Sequence, residues 1–259
     1  MENPLVKLVP QLFGEYPKPF IKLIENIPLS PGQDSEEQAK TLWKAYEFGF
    51  RYHDGQKRLS GKPYFSHCLA VANTLASWKM DTTTVIAGLL HDTVEDTDAT
   101  IEQITENFGE DLAGLVDGLT KISEISYSSR KEKQAGNFMK MLLSVAQDMR
   151  VIIIKFADRL HNMETLRHMT QIKRHRIAVE TRDIYVPLAH RLGMSSVKSQ
   201  LEDLVFTVLN PTGYQEMESK IKSSEKQRQK FISKVISPIE NELKKFQITP
   251  SIYGRAKSY

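Results

Sequence analysis

The sequence predicts an all-α protein, and three observations carry that expectation. Apolar residues recur at helical intervals through almost every long segment. Glycines and capping residues fall where those patterns stop. Few runs have the β-branched make-up of a strand, VIII at 151–154 being the clearest. A strand there would need pairing partners, and few other segments offer one, so a buried helix is the better reading.

Taken in order, residues 38–53 put Ala39, Leu42, Ala45, Tyr46, Phe48 and Phe50 on helical spacing, and Gly55 ends the pattern. The stretch DGQKRLSGKPY (54–64) mixes Gly, Pro and basic residues, as loops do. Another helix begins near Phe65 and carries Leu69, Val71, Ala72 and Leu75. Thr82–Thr84 opens the next, whose stripe of Val85, Ile86, Leu89, Leu90 and Val94 carries it past His91 and Asp92. Thr100 and Gln103 form a capping box for a short helix that Gly109 stops. Phe138, Met141, Leu142 and Val145 mark a further amphipathic helix. Residues 171–192 read as one long helix, kinked at Pro187 and ended by Gly193. LNPTGY (209–214) is the clearest boundary, and 214–246 beyond it is polar and helical with weak periodicity.

The totals narrow the function. A chain of 259 residues buries a sizeable core, and 40% hydrophobic with 26% charged residues is ordinary for a globular protein. A net charge of +3 is too small to argue for DNA or RNA. Residues 211–259 hold ten Lys/Arg against five Asp/Glu, which fits a solvated helix face more simply than a phosphate site. The single cysteine, Cys68, excludes an internal disulfide and fits a reducing cytosol, with a catalytic thiol as the sharper alternative. MENPLVKLVP lacks a signal-peptide pattern, and VIIIKFA (151–157) is too short to span a bilayer. A cytoplasmic protein without DNA or membrane partners is expected.

Chemistry concentrates in HDTVEDT (91–97). An apolar segment there ends in His91, Asp92, Glu95 and Asp96, and buried charge is costly unless paired or bound to metal. On a continuous helix Glu95 and Asp96 share the face of His91 and Asp92. Further ligands should come from other apolar helices, and His67 (PYFSHCLAVA) and Asp158 (IIIKFADRLHNM) fit, with Arg159 as the plainer partner for Asp158. Two imidazoles and two carboxylates form a mixed N/O set suited to Mn²⁺ or Fe²⁺, with Zn²⁺ open on affinity alone.

Six blocks in order, GQKRLSGKPYFSH, GLLHDTVEDT, LVDGLTKI, NFMKMLL, RVIIIKFADRLHNMETL and IYVPLAHRLG, resemble the hydrolase domain of the RelA/SpoT homologue family. The similarity runs from about residue 38 to 215. It implies a helical HD-type metal-dependent phosphohydrolase, with Mn²⁺ held by His67, His91, Asp92 and Asp158. It makes Glu95 and Asp96 the catalytic pair, Glu95 acting on the attacking water and Asp96 assisting or managing the proton of the departing ribose oxygen. The activity implied is that of a guanosine-3′,5′-bis(diphosphate) 3′-pyrophosphohydrolase, which cleaves ppGpp or pppGpp to GDP or GTP and pyrophosphate. Arg58 matches the guanine-contacting arginine, and Ser60, Asn162 and Thr165 fall on the implied nucleotide pocket. Lys140, Lys155 and Arg159 are open between phosphate binding and salt bridges, while the family pattern does not use His53 or His161 as ligands.

Leu59, Lys62 and Cys68 depart from common family residues, and Leu59 puts the base or phosphate contacts there in question. The organisation implied is an extension (1–37), the hydrolase (38–213), and linking helices leading into a truncated synthetase (214–259), whose opening IYGRAKSY resembles. The resemblance thus implies an N-terminal fragment that hydrolyses but does not synthesise, its synthetase and regulatory regions lying elsewhere. Two readings stand beside it: a phosphohydrolase of another nucleotide, and an idle nucleotide-sensing module, which the presence of Glu95 and Asp96 disfavours.

Overall fold

The computed structural model describes residue 5, residues 17–28, 34–123 and 148–246, and positions 248, 250 and 252. Among these residues it is helical with no strand; the helix expected around Phe138–Val145 lies outside them. The first helix, α1 (Lys18–Asn26), starts on Pro17–Lys18 and buries Phe20, Leu23 and Ile24. Asp34 caps α2 (Ser35–Tyr52) by accepting from the Glu36 N–H. Next come α3 (Phe65–Ser77) and α4 (Thr82–Leu90). Asp81, one residue earlier than the sequence suggests, caps α4 by accepting from the Thr84 N–H.

The pattern through Val94 does not stay on one helix. The chain leaves α4 at Leu90, turns through His91 and Asp92, and forms a single further turn, α5 (Thr93–Asp96). Val94 still packs on the core, which is why its spacing mimics a continuous helix. Thr100 and Gln103 make the expected capping box at the start of α6 (Ile101–Phe108), and Gly109 stops it at φ +89°. Helix α7 (Glu110–Ser123) follows.

Helix α8 (Met149–Glu164) explains the strand-like run. Val151, Ile154 and Ala157 join a core built on α1–α7, whereas Ile152, Phe156, Leu160 and Met163 join a second core with the helices that follow. A helix buried on two sides is apolar all round and loses its periodicity. Fully burying Phe156 on this helix contributes about 3 kcal/mol.

The second core is closed by α9 (Gln171–Glu180), α10 (Val186–Arg191) and α11 (Ser195–Leu209). Between α9 and α10, just before Pro187, lies a π-helical turn, Thr181–Tyr185. Pro187 has no N–H to give and its ring crowds the carbonyl four residues back, and the wider turn just before it relieves both. Helix α12 (Pro211–Lys245) begins where LNPTGY marks the boundary, capped by Asn210, and packs chiefly on α11.

Close approach positions the site. A Cβ on Gly49 of α2 would collide with the Phe65 ring and crowd Leu90. The glycine lets α2 press on the start of α3 and the end of α4, bringing His67 and His91 together.

Candidate metal centre and active site

The loop before α3 is closed by an antiparallel bridge between Lys57 and Pro63. Within it the Arg58 N–H donates to the Lys62 carbonyl at 2.9 Å and the Gly61 N–H to the Arg58 carbonyl at 2.8 Å. The Tyr64 N–H reaches back to the Gln56 carbonyl at 2.9 Å. These bonds set Arg58 and Tyr64 on one side of α3, whose first turn carries His67. His91 and Asp92 come from the turn after α4, and Asp158 from the middle of α8.

His91 is fully buried, and its Nδ1 lies 2.9 Å from the Gly88 carbonyl. A carbonyl only accepts, so Nδ1 carries the proton and Nε2 presents a lone pair. That Nε2 lies 3.0 Å from Asp92 Oδ1 and 3.9 Å from Asp158 Oδ1, without a hydrogen bond to either. His67 Nε2 lies 3.2 Å from Asp158 Oδ1 and 3.5 Å from Asp92 Oδ2. Two imidazoles and two carboxylates therefore face one point. An unsatisfied buried nitrogen among carboxylates is the signature of a cation site; donor atoms of His67, His91 and Asp158 group closely enough for one divalent metal, and Asp92 lies beside both imidazoles.

Burial opposes charge on His91, but Asp92 and Asp158 outweigh it and raise its pKa, whereas burial wins at His67 and lowers it. Burial likewise works against Asp158, yet the two imidazoles and Lys155 hold its carboxyl down to about 2, and Asp92 falls well below the carboxylate range by the same means. Cys68, His91 and Asp92 form a second grouping of donor atoms. Burial pushes the Cys68 thiol far up, and its Sγ lies 3.8 Å from His53 Nε2.

Glu95 and Asp96 lie on the exposed turn α5, at the rim of this buried floor. The Tyr64 hydroxyl stands 2.6 Å from Asp96 Oδ2 and 2.9 Å from Asp92 Oδ2, so one phenol spans floor and rim. Burial and then Asp92 push that phenol far above its ordinary pKa, keeping it a donor. Gln56 Nε2 donates to the Asp96 carbonyl at 2.8 Å and steadies the same turn.

The candidate nucleotide residues divide. Arg58 donates from Nη2 to Asn162 Oδ1 at 2.8 Å and from Nη1 to His161 Nδ1 at 3.2 Å, and Asn162 Nδ2 donates to Asp158 Oδ1 at 2.5 Å. Arg58 and Asn162 thus join each other and the metal-facing carboxylate. Thr165 caps the end of α8, its hydroxyl turned back to the His161 carbonyl at 2.8 Å, and Ser60 sits half-buried in the Arg58–Gly61 turn. Arg159, the plain partner considered for Asp158, instead pairs with Glu180 at 3.3 Å and lies 4.0 Å from the Tyr185 ring centre. Lys155 is buried and adds its positive charge to Asp92 and Asp158. Lys140 lies outside the described residues.

Sequence reasoning did not find Tyr64, Gln56 or the bonding of His161. Their signal was position: Tyr64 stands three residues before His67, and His161 three after Asp158, one helical turn in each case.

A family model described as HD domain matches residues 45–195. A bifunctional (p)ppGpp synthase/hydrolase SpoT from Escherichia coli K12 is 45% identical over 222 residues, which cover 86% of this chain and 32% of that protein. A guanosine-3′,5′-bis(diphosphate) 3′-pyrophosphohydrolase from Aquifex aeolicus is 46% identical over 224 residues, covering 86% and 32%. A GTP pyrophosphokinase from Myxococcus xanthus is 48% identical over 217 residues, covering 83% and 29%. The chain therefore spans about a third of the length of these curated relatives. A solved structure described as a metazoan ortholog of SpoT that hydrolyzes ppGpp matches with a TM-score of 0.54 and 27% identity, covering 64% of this chain and 93% of that one. No helix among the described residues is long and apolar enough to cross a membrane.

Proposed function

The chain belongs to the HD-domain family, and from that membership and the geometry of its site we propose that it hydrolyses the 3′-pyrophosphate of ppGpp and pppGpp. The products are GDP or GTP and pyrophosphate. The observation that carries this reading is the convergence of two imidazole nitrogens and two carboxylates on one buried point, next to an exposed acidic pair.

His67, His91, Asp92 and Asp158 hold the metal, and Mn²⁺ is the ion we assign to this N/O set. When bound, such an ion supplies positive charge for the phosphoryl oxygens and acidity for water. Glu95, exposed at the rim, orients the attacking water and takes its proton as a new P–O bond forms. The bond from phosphorus to the ribose 3′ oxygen breaks, and Asp96 manages the proton that this oxygen gains. Tyr64 keeps Asp96 beside Asp92 through its shared hydroxyl. Lys155 adds a buried cation to the same floor. Arg58 offers its flat guanidinium to the guanine, with Ser60, Asn162 and Thr165 around the nucleoside.

The compartment we infer is the cytoplasm, in keeping with a free buried Cys68. The test is turnover with Mn²⁺, with and without a chelator, on ppGpp, a deoxynucleoside triphosphate and a phosphorylated dinucleotide. Release of pyrophosphate from ppGpp alone, abolished by the chelator, is the expected result. Turnover confined to the other compounds would replace the alarmone with another nucleotide.

A further inference from the structure

Arg58 and His161 have a second task at the metal centre, which follows from which atoms can donate. A guanidinium only donates. Its Nη1 lies 3.2 Å from His161 Nδ1, so that nitrogen is an acceptor and bears no proton. The same Nδ1 lies 2.6 Å from His67 Nδ1. Two bare nitrogens at that distance would repel, so His67 Nδ1 carries the hydrogen and donates it.

A neutral imidazole has one N–H, and the other nitrogen of His67, Nε2, is left with a lone pair facing Asp92 and Asp158. The rings of His67 and His161 lie 4.8 Å apart, centre to centre, at 30°, so with the two nitrogens 2.6 Å apart they meet edge to edge, as an N–H in the ring plane requires. A second path runs from Arg58 through Asn162 to Asp158, and its polarity is equally forced. Asn162 must accept from a donor-only arginine with Oδ1, and it gives its Nδ2 hydrogens to a carboxylate. One arginine in the loop before α3 thus orders two of the four groups that face the cation point.

We propose that His161 is a positioning residue that sets the tautomer of His67 for metal binding, and that Arg58 locks His161 in the accepting state. Without Arg58, neutral His161 can take its other tautomer, with the hydrogen on Nδ1, and donate to His67, whose single hydrogen then sits on Nε2 and closes that atom to a cation. A residue that the proposed function gives to the guanine base is therefore also needed for metal affinity when no nucleotide is present. The inference rests on the four-residue metal set proposed above, but not on the identity of the substrate.

The test is titration of Mn²⁺ alone into wild-type protein, Arg58→Met, His161→Leu and His161→Asn, followed by calorimetry. Arg58→Met and His161→Leu should each weaken Mn²⁺ binding about 10-fold or more, in the range for groups that orient a ligand. His161→Asn keeps an acceptor at the Nδ1 position and should stay close to wild type. Arg58 lies in a loop, so its variant decides the matter even if His161→Leu fails to fold. Arg58→Met with wild-type affinity would overturn the inference, and so would His161→Asn binding as weakly as a folded His161→Leu. Wild-type protein that binds no Mn²⁺ would instead overturn the metal set beneath it.

Discussion

The floor and the rim of the site use the same carboxylate chemistry in opposite surroundings. Asp92 and Asp96 are one helical turn apart, with the Asp96 N–H donating to the Asp92 carbonyl at 2.8 Å. Asp92 faces two imidazoles that are 0% and 1% exposed, with Lys155 also buried nearby, and is held ionised by them. Asp96 and Glu95 stand in solvent on a single turn of helix. The contrast suits the roles proposed for them, since a group that grips a cation gains from burial and fixed orientation, whereas one that handles a water proton must meet water. The break in the helix at His91 and Asp92 makes this division, because a continuous α4 would have carried both pairs along one stripe.

The largest expected effects come from separating these two halves. Asp158→Ala should weaken Mn²⁺ binding about 100-fold or more and lower turnover of ppGpp about 1,000-fold, since it removes one of the four proposed ligands from the floor. Glu95→Gln should leave Mn²⁺ affinity as it is and still lower turnover by about 100- to 10,000-fold, the usual worth of a general base. Calorimetry beside steady-state kinetics reads both. A Glu95→Gln protein that lost its metal, or kept full turnover, would erase the distinction between floor and rim.

A smaller effect sharpens the comparison at its one bridge. Tyr64→Phe keeps the ring that lies 5.0 Å from His53 and 5.7 Å from the Arg58 guanidinium, and deletes only the hydroxyl between Asp92 and Asp96. The kcat for ppGpp should fall about 10-fold while KM and Mn²⁺ affinity change less. A kcat equal to wild type would show that the rim needs no tether.

Much of the fold is legible in the sequence because burial on one side leaves a period. The stripe of α2, the box at Thr100 and Gln103, and the stop at Gly193 are local, and local rules find them. The turn at His91 and Asp92 is not, since Val94 still packs against the core and the spacing runs on across the break. The π-helical turn is hidden in the same way, as Pro187 announces a disturbance but not its form. At the site, residue type and spacing nominate His67, His91, Asp92 and Asp158 as a group, and the structure brings them together. The bonding of His161 and Tyr64 depends on which atoms of distant elements meet, and no spacing rule carries that information. Arg159 teaches the converse: adjacency to Asp158 in the chain pointed to a pair, yet neighbours on a helix diverge and the guanidinium lies on Tyr185 and Glu180.

The smallest expected effect concerns the residue that borders the floor without belonging to it. Cys68 sits next to His67 in α3 and could be grouped with His91 and Asp92 as a ligand. A metal needs the thiolate, and burial first, then the charges of Asp92 and Asp158, drive the Cys68 thiol far from that form. The side chain also belongs to the apolar core and approaches His53. Cys68→Ala should therefore leave Mn²⁺ affinity and turnover unchanged and cost only about 1 kcal/mol of stability for the small cavity it opens. Denaturant unfolding reads the stability, and calorimetry with Mn²⁺ reads the site. A Cys68→Ala protein with weakened Mn²⁺ binding would move the cation toward the sulfur, and the floor would have to be redrawn around His91, Asp92 and Cys68 in place of His67 and Asp158.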